Sequence, residues 1–447
     1  MFAVYILLCS DNSYYTGLTN DLEKRIWQHE TGFFPECYTY KRRPVELVWH
    51  TVVHTSEEAN DLERQIKGWT RKKKEALVKG DIEELKKISN HKKESAMALR
   101  QAQGQIEFLI IGQGICGTWL SYFFQKENRS FLVIDDNQPN SSSRIAAGII
   151  NPVTGRSIVK TWMIDELIHF IETAYSEIGK ELDIIALSPK TIIDFFPTPQ
   201  MREAFLQRQK DEPFLQTATN EDAFKNNFNY EFGFGKIDPS FIVHLETLLP
   251  AWRNHLIKST QIAEESFDLS QLKISANKIQ YKEFIAEKII FCDGIGSLEN
   301  PLFARLPFAF NKGEMLLIET DGISPEHIYK KGLILAPLQS KNIFWAGTNY
   351  VWDYNDVSPT KEFREKTEQQ LKEWLKVPFK VLDHMVSVRP ANVERRPFAG
   401  MHPVYKNVGI LNGMGSKGCS LAPFFAKQLA DHLIHGKKIL LEADILR

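Results

Sequence analysis

No two cysteines in this chain form a Cys-x-x-Cys pair. The five present, Cys9, Cys37, Cys116, Cys292 and Cys419, are scattered and odd in number, which disfavours both a disulfide framework and a zinc site. An excess of either charge is also missing. Lys and Arg number 55 and Asp and Glu 56, leaving a formal charge of −1. No global field draws the chain to nucleic acid or to a membrane, so local patches must carry any such case. The start of the chain lacks a basic segment followed by a long apolar one, and no signal peptide is expected. The one stretch near spanning length, 106–124, is broken by three glycines, Glu107 and Gln113. No internal repeat or low-complexity block occurs. These absences lead us to expect a reducing, cytoplasmic protein without a membrane span.

What is present is ordinary globular composition, with 43% apolar and 25% charged residues over 447 positions. That length suits roughly two to four domains. Residues 1–80 read as a small unit. Strand-like runs at Val4–Leu8 and Tyr14–Tyr15 flank the turn signal "SDNS". "TNDLEKRIWQHETG" reads as a helix capped by Asn20 or Asp21 and stopped by Gly32. "VELVWHTVV" is a third strand, and a second helix follows with Ser56 as its expected cap. Residues 81–104 read as a helical tail and linker. From Ile106 the text becomes strand, glycine turn, helix and strand, the opening of a βαβ unit.

In the first unit Tyr5 and Tyr15 lie on adjacent strand runs and share a side. Arg25 and His29, four apart, share a helix face. Glu63 lies on the second helix. A carboxylate for a divalent metal, an arginine for phosphate charge, and tyrosines or a histidine for proton handling are the parts of a phosphodiester hydrolase. Each also has a plainer role: strand tyrosines pack, helix cations face solvent, and Glu63 pairs with Lys67. With "VYIL", "YYTG", "DLEKRIWQHETG", "YTYKRRPVELVW" and "LERQIKGWTRKKKEAL", the segment resembles the GIY-YIG nuclease domain. The resemblance implies catalytic roles for Tyr5, Tyr15, Arg25, His29 and Glu63, with Mg2+ or Mn2+ on Glu63. Its motifs depart from the usual text in reading "VYI" and "YTG". Lys41–Arg43 and Arg71–Lys74 are the local basic patches for DNA or RNA.

In the second unit Gly112, Gly114 and Gly117 form G-x-G-x-x-G between a strand and a helix. They serve a tight turn, close approach of a pyrophosphate and helix–strand packing. The helix N-terminus offers free N–H groups to phosphate. Asp135 ends the next strand, where a carboxylate accepts from ribose hydroxyls, with Asp136 the alternative. The later stretches "SSSRIAAGIINPVTG", "FGKIDPSFIVHLETLL", "EKIIFCDGIGS", "SVRPANVERRPFAG" and "GILNGMGSKGCSLAP" resemble FAD-dependent oxidoreductases of the D-amino-acid oxidase and glycine oxidase type.

That resemblance implies FAD contacts along Ser142, Ser143 and Gly148, at Gly294, and at Gly413, Gly415 and Gly418. It places Arg389 on the substrate carboxylate with Tyr350 beside it, for hydride transfer from an amine-bearing carbon to flavin. Taken alone, Arg389 reads as half of a structural ion pair. Asp293 stands where the family usually has a small residue.

The expected architecture is therefore α/β and α+β multidomain. A small GIY-YIG α/β domain precedes a Rossmann-like FAD-binding domain (about 105–160 and 380–436) with an interleaved antiparallel substrate domain (about 190–375). The expected substrate is a small amine or amino acid. Two alternatives stay open: a flavoenzyme modifying tRNA wobble uridine, and an N-terminal module that binds nucleic acid without cutting it. Oligomeric state is left open.

Overall fold

The computed structural model describes residues 2–33, 37–53, 55–67, 69, 71–81, 106–155 and 158–447. The expected tail and linker at 81–104 lie, apart from Asp81, outside the described residues. The chain divides into two compact units, Met1–Gln101 and Ala102–Arg447.

The first unit is organised by one strand, β1 (Phe2–Cys9), nearly all of which is buried. It pairs antiparallel with β2 (Tyr14–Thr19) on one side and β3 (Val45–Val53) on the other. Period-2 alternation sorts its side chains between two layers. Val4 and Ile6 pack with Ala59 and Ile66, whereas Tyr5, Leu7 and Cys9 pack with Val45, Leu22 and Ile26. The "SDNS" turn closes through Asn12 at φ +62° and Asp11 accepting from Ser13 N–H at 3.0 Å. Helix α1 (Leu22–Thr31) starts at Asp21, whose side chain accepts from Lys24 N–H, and stops at Gly32 with φ +69°. Both are ordinary cap choices.

Helix α2 (Ser56–Lys67) corrects the expected Ser56 cap. Thr55 takes that place in a reciprocal capping box, its hydroxyl accepting from Glu58 N–H while the Glu58 carboxylate accepts from Thr55 N–H, both at 3.2 Å. The single second helix expected here is two, since α3 (Arg71–Val78) is a separate element.

The second unit has two sheets. In the first, β4 (Ile106–Ile111) runs parallel to β5 (Phe131–Ile134) and to β6 (Phe284–Phe291). Val408–Asn412 adds parallel to β6. Where both faces are covered the strands read as apolar runs, as in all of β5, in Phe108–Ile111 of β4 and in Ile289–Phe291 of β6. Helix α4 (Ile115–Lys126) is buried from Ile115 through Phe124, so its sequence shows no polar face. The last long helix, α5 (Gly418–His435), packs beside it. Tyr175 ties the helix Ile164–Leu182 to α5 by donating to Cys419 O at 2.8 Å. Trp252 donates to the Ser121 hydroxyl at 2.8 Å, which lets a large indole be buried without an orphaned N–H.

The second sheet has nine strands and is mostly antiparallel. Within it β7 (Asn311–Glu319) lies between β8 (Ile343–Gly347) and β9 (Lys380–Arg389). Two segments differ from the expected partition. Ile262–Phe291, inside the expected substrate stretch, contributes four strands to the first sheet. Residues Lys380–Arg389, inside the expected FAD-binding stretch, form an outer strand of the second sheet. The chain passes between the sheets several times, and strand pairing at such separations has no local signal.

Candidate functional site

In the first unit, Tyr5 faces the α1 layer and is fully buried. Its hydroxyl lies 2.8 Å from His29 Nε2 and 3.4 Å from the donating Nε of Arg25. His29 Nδ1 lies 2.7 Å from Thr39 Oγ1. The Tyr15 ring meets the His29 ring edge-on at 5.1 Å and stacks on Tyr38 at 5.9 Å. Four of the expected residues thus form one connected cluster. Gly17 sits opposite Tyr5 in the β1–β2 register. A Cβ there would come within 2.6 Å of the Tyr5 hydroxyl, so the glycine at 17 makes room for the Tyr5 hydroxyl.

Glu63 is placed differently. It stands on α2 and pairs with Lys67 at 2.6 Å, as its plainer reading had it. Lys67 in turn acts electrostatically on the Tyr15 hydroxyl, and α2 packs against β2. The Lys67 side chain is about half exposed and the Glu63 side chain 17%, and an i,i+4 helix pair is worth only about 0.3–0.5 kcal/mol. Glu63 offers the hard carboxylate oxygen that a divalent cation takes, but no group of three possible metal ligands among the described residues includes it.

Burial pushes the Tyr5 hydroxyl up to about 12. Burial, aided by Arg25, holds His29 down at about 4, so the imidazole is neutral at pH 7. Unfolded His29 binds a proton near pH 6.5, and the folded residue resists it until about pH 4. Stability should therefore fall on acidification across that window, by on the order of 3 kcal/mol. Thermal unfolding of wild type and His29→Gln from pH 7 to 4 checks this. The wild type should lose its melting temperature faster, and equal slopes would contradict the assignment.

In the second unit the glycines separate into two groups. Gly112 has φ +96° and would drive a Cβ to 2.5 Å from Cys292 O, while a Cβ on Gly117 would lie 1.9 Å from Gly112 O. Gly148 is likewise explained by protein contact, with Val243 O at 2.0 Å from its Cβ position, and Gly413 by Phe398 and Asn392. Gly114, Gly294, Gly415 and Gly418 face more open space, meeting at closest Ser143 Oγ at 3.1 Å, nothing within 4 Å, Ala391 at 3.5 Å and Ile115 at 3.4 Å. Gly418 and Ile115 begin α5 and α4, so two helix N-termini converge here. Ser142 opens the short helical turn Ser142–Ile145. Ser143 accepts from Ile115 N–H at 3.1 Å and stands in as the cap that Gly114 cannot supply.

Asp135 sits beside this loop and accepts from Gln113 N–H at 2.8 Å. It also accepts from Asn137 N–H at 2.8 Å and from Arg253 Nη1 at 2.6 Å. Three donors leave a carboxylate some acceptor capacity for a ribose hydroxyl. Arg253 comes from 118 residues away, and nothing in the local sequence marked it. Open glycines, converging helix N-termini and a neighbouring carboxylate suit a dinucleotide cofactor.

Lys417, between Gly415 and Gly418, was also missed. Among the described residues its ammonium donates only to Thr161 Oγ1, at 3.4 Å, and burial lowers its pKa to about 8. Asp293, raised to about 6 by burial, accepts from the Ser297 hydroxyl at 2.5 Å and from Asn412 Nδ2 at 3.3 Å. It braces the turn Gly294–Leu298.

Arg389 ends β9. It donates to Asn311 Oδ1 at 2.9 Å, Thr348 Oγ1 at 2.7 Å and Asn349 O at 3.2 Å. Its guanidinium lies over the Tyr350 ring at 4.6 Å. Each of these partners is neutral, and burial lowers the Arg389 pKa. The structural ion pair expected of an isolated arginine is therefore not formed with any described residue. Tyr350 is 54% exposed, a lining side chain rather than core.

One group of possible metal ligands, Glu127, Asp431 and His435, occurs among the described residues. Lys427 and Lys437 occupy Asp431, so it carries no metal argument. No helix among the described residues is long and apolar enough to cross a membrane.

The chain matches two family models, the GIY-YIG catalytic domain over residues 1–76 and the FAD dependent oxidoreductase over residues 107–432. Residues of the first unit are 47% identical over 74 positions to a UPF0213 protein of Bacillus pumilus, covering 17% of this chain and 74% of that protein. UPF0213 protein YazA of Bacillus subtilis is 46% identical over the same shares. Among solved structures, glycine oxidase from Geobacillus kaustophilus superposes with TM-score 0.63 at 16% identity, covering 75% of this chain and 96% of that one. Iminodiacetate oxidase from Chelativorans sp. BNC1 does so with TM-score 0.60 at 17% identity, covering 75% and 98%. The chain thus belongs to the FAD-dependent oxidoreductase family, with a GIY-YIG domain of the UPF0213 kind ahead of it.

Proposed function

We propose that the second unit oxidises the carbon–nitrogen bond of a small amine or amino acid that carries a carboxylate. The observation that supports this most is Arg389, a half-buried guanidinium held by Asn311, Thr348 and Asn349, with only neutral partners among the described residues. Such a group is poised to receive a carboxylate bidentately. Tyr350 covers one face of it. Bound FAD would supply the two-electron acceptor. The α4 and α5 N-termini would take its phosphates and polar edges, Asp135 its ribose, and Lys417 would add positive charge between two open glycines. The names of the neighbours, glycine oxidase and iminodiacetate oxidase, fit a substrate with a carboxylate near the amine.

Anaerobic bleaching of the yellow holoprotein across amino acids, N-substituted glycines and tRNA tests this reading. Bleaching by a carboxylate-bearing amine is expected. A protein that stays colourless after FAD is supplied would sink it. A second reading, in which the amine is borne on a nucleic acid base, is favoured by Tyr350 and Trp352, 54% and 60% exposed, since exposed rings are stacking platforms. Bleaching by tRNA but by no free amine would select it.

For the first unit, the reading is divalent-metal-dependent phosphodiester cleavage. Tyr5 and His29 handle the proton, Arg25 faces phosphate charge and Glu63 holds Mg2+ or Mn2+. Cleavage of DNA or RNA in Mn2+ should fall at least ~100-fold in Glu63→Ala. If wild type binds nucleic acid and never cuts it, the unit is a binding module.

A further inference from the structure

Hydrogen bonding around His29 has a direction that its partners dictate. Arginine donates and never accepts, so Arg25 Nε–H takes a lone pair of the Tyr5 oxygen. The Tyr5 proton then needs an acceptor. Tyr5 is fully buried, and His29 Nε2 at 2.8 Å is the acceptor the described residues offer. A neutral imidazole that accepts at Nε2 must donate from Nδ1, where Thr39 Oγ1 lies at 2.7 Å and Cys37 Sγ, the weaker acceptor, at 3.7 Å. The Thr39 proton in turn points to Cys37 Sγ at 3.5 Å. The opposite direction would put the proton on His29 Nε2 and leave the buried Tyr5 hydroxyl without an acceptor, a costly arrangement.

Among the described residues the Thr39 hydroxyl meets only His29 Nδ1 and Cys37 Sγ. Thr39 precedes the short turn Tyr40–Arg42 yet makes no side-chain cap bond to it. It is also buried, at 1% exposure.

We infer that Thr39 is a positioning residue that fixes the tautomer of His29, holding Nε2 open toward the Tyr5 hydroxyl. The consequence for catalysis rests on the phosphodiester reading of this unit. With Nε2 as acceptor, the Tyr5 O–H points inward and its second lone pair is left for a donor such as water. With the other tautomer Tyr5 has no inward route for that proton.

The test uses the full chain with ring-15N-labelled histidine, the His29 resonances being assigned by their loss in His29→Gln. In wild type the proton should reside on Nδ1 at pH 7. In Thr39→Val it should move wholly or partly to Nε2, and Thr39→Ser should restore the wild-type signal. A wild-type His29 protonated on Nε2 overturns the inference even if Thr39→Val does not fold, and so does a Thr39→Val protein whose tautomer is unchanged. This measurement needs no substrate, so its failure is separate from failure of the nuclease reading. Where wild type cuts in Mn2+, Thr39→Val should lower kcat at least tenfold with KM unchanged, and Thr39→Ser should recover it. An equal loss in both variants would assign Thr39 a packing role only.

Discussion

Replacing Arg389 with methionine is expected to lower kcat/KM for a carboxylate-bearing amine by roughly 100-fold or more while the protein stays folded and yellow. The size follows from losing two charge-assisted hydrogen bonds, each worth about 1.5–3 kcal/mol. Folding should survive because the partners are neutral: a removed guanidinium strands no carboxylate. Arg389→Lys keeps the charge but not the planar fork and should recover only a small part of the loss. Steady-state kinetics on the amine that bleaches the wild type decides it. The same amine with its carboxylate amidated should be equally poor on wild type and variant. If Arg389→Met instead handles the carboxylate as wild type does, the arginine is structural and the substrate class is wrong.

The second large effect is expected at Gly117. A Cβ there would lie 1.9 Å from the backbone oxygen of Gly112. Neither side of that contact is a flexible side chain, so α4 must move away from the glycine turn. Gly117→Val should therefore purify with at least tenfold less FAD per chain, and the flavin unit should melt several degrees lower. Gly418→Ala is the control. Its Cβ would meet Ile115 at 3.4 Å, an ordinary contact, so the apo fold should be unchanged. A Gly117→Val protein with full FAD content would show that the turn does not need the close approach.

Much of the fold was legible because its signals are local. Asp21, Gly32 and the Asn12 turn act within a few residues, and they sit where their chemistry expects them. The β4–α4–β5 opening was legible for the same reason. Local signals also misled. Ser56 and Thr55 are both acceptable caps, and Glu58, three residues after Thr55, decides between them. The sheet membership of Ile262–Phe291 and of Lys380–Arg389 was not readable, because either sheet accepts a strand of such mixed composition. Pairing partners far along the chain make that choice.

The candidate sites divide along the same line. Residue types and spacings in the amino-acid sequence determined that a tyrosine, arginine and histidine cluster stands in the first unit. They determined equally that a glycine turn with a following acid opens the second. Tertiary structure alone decided what each group does there. It paired Glu63 with Lys67 and ran Tyr5 through His29 to Thr39. It also brought Arg253 across 118 residues to Asp135, and left Arg389 with neutral partners. The physical reason is that charge, proton position and coordination depend on partners within about 4 Å, and those partners come from segments that only folding brings together.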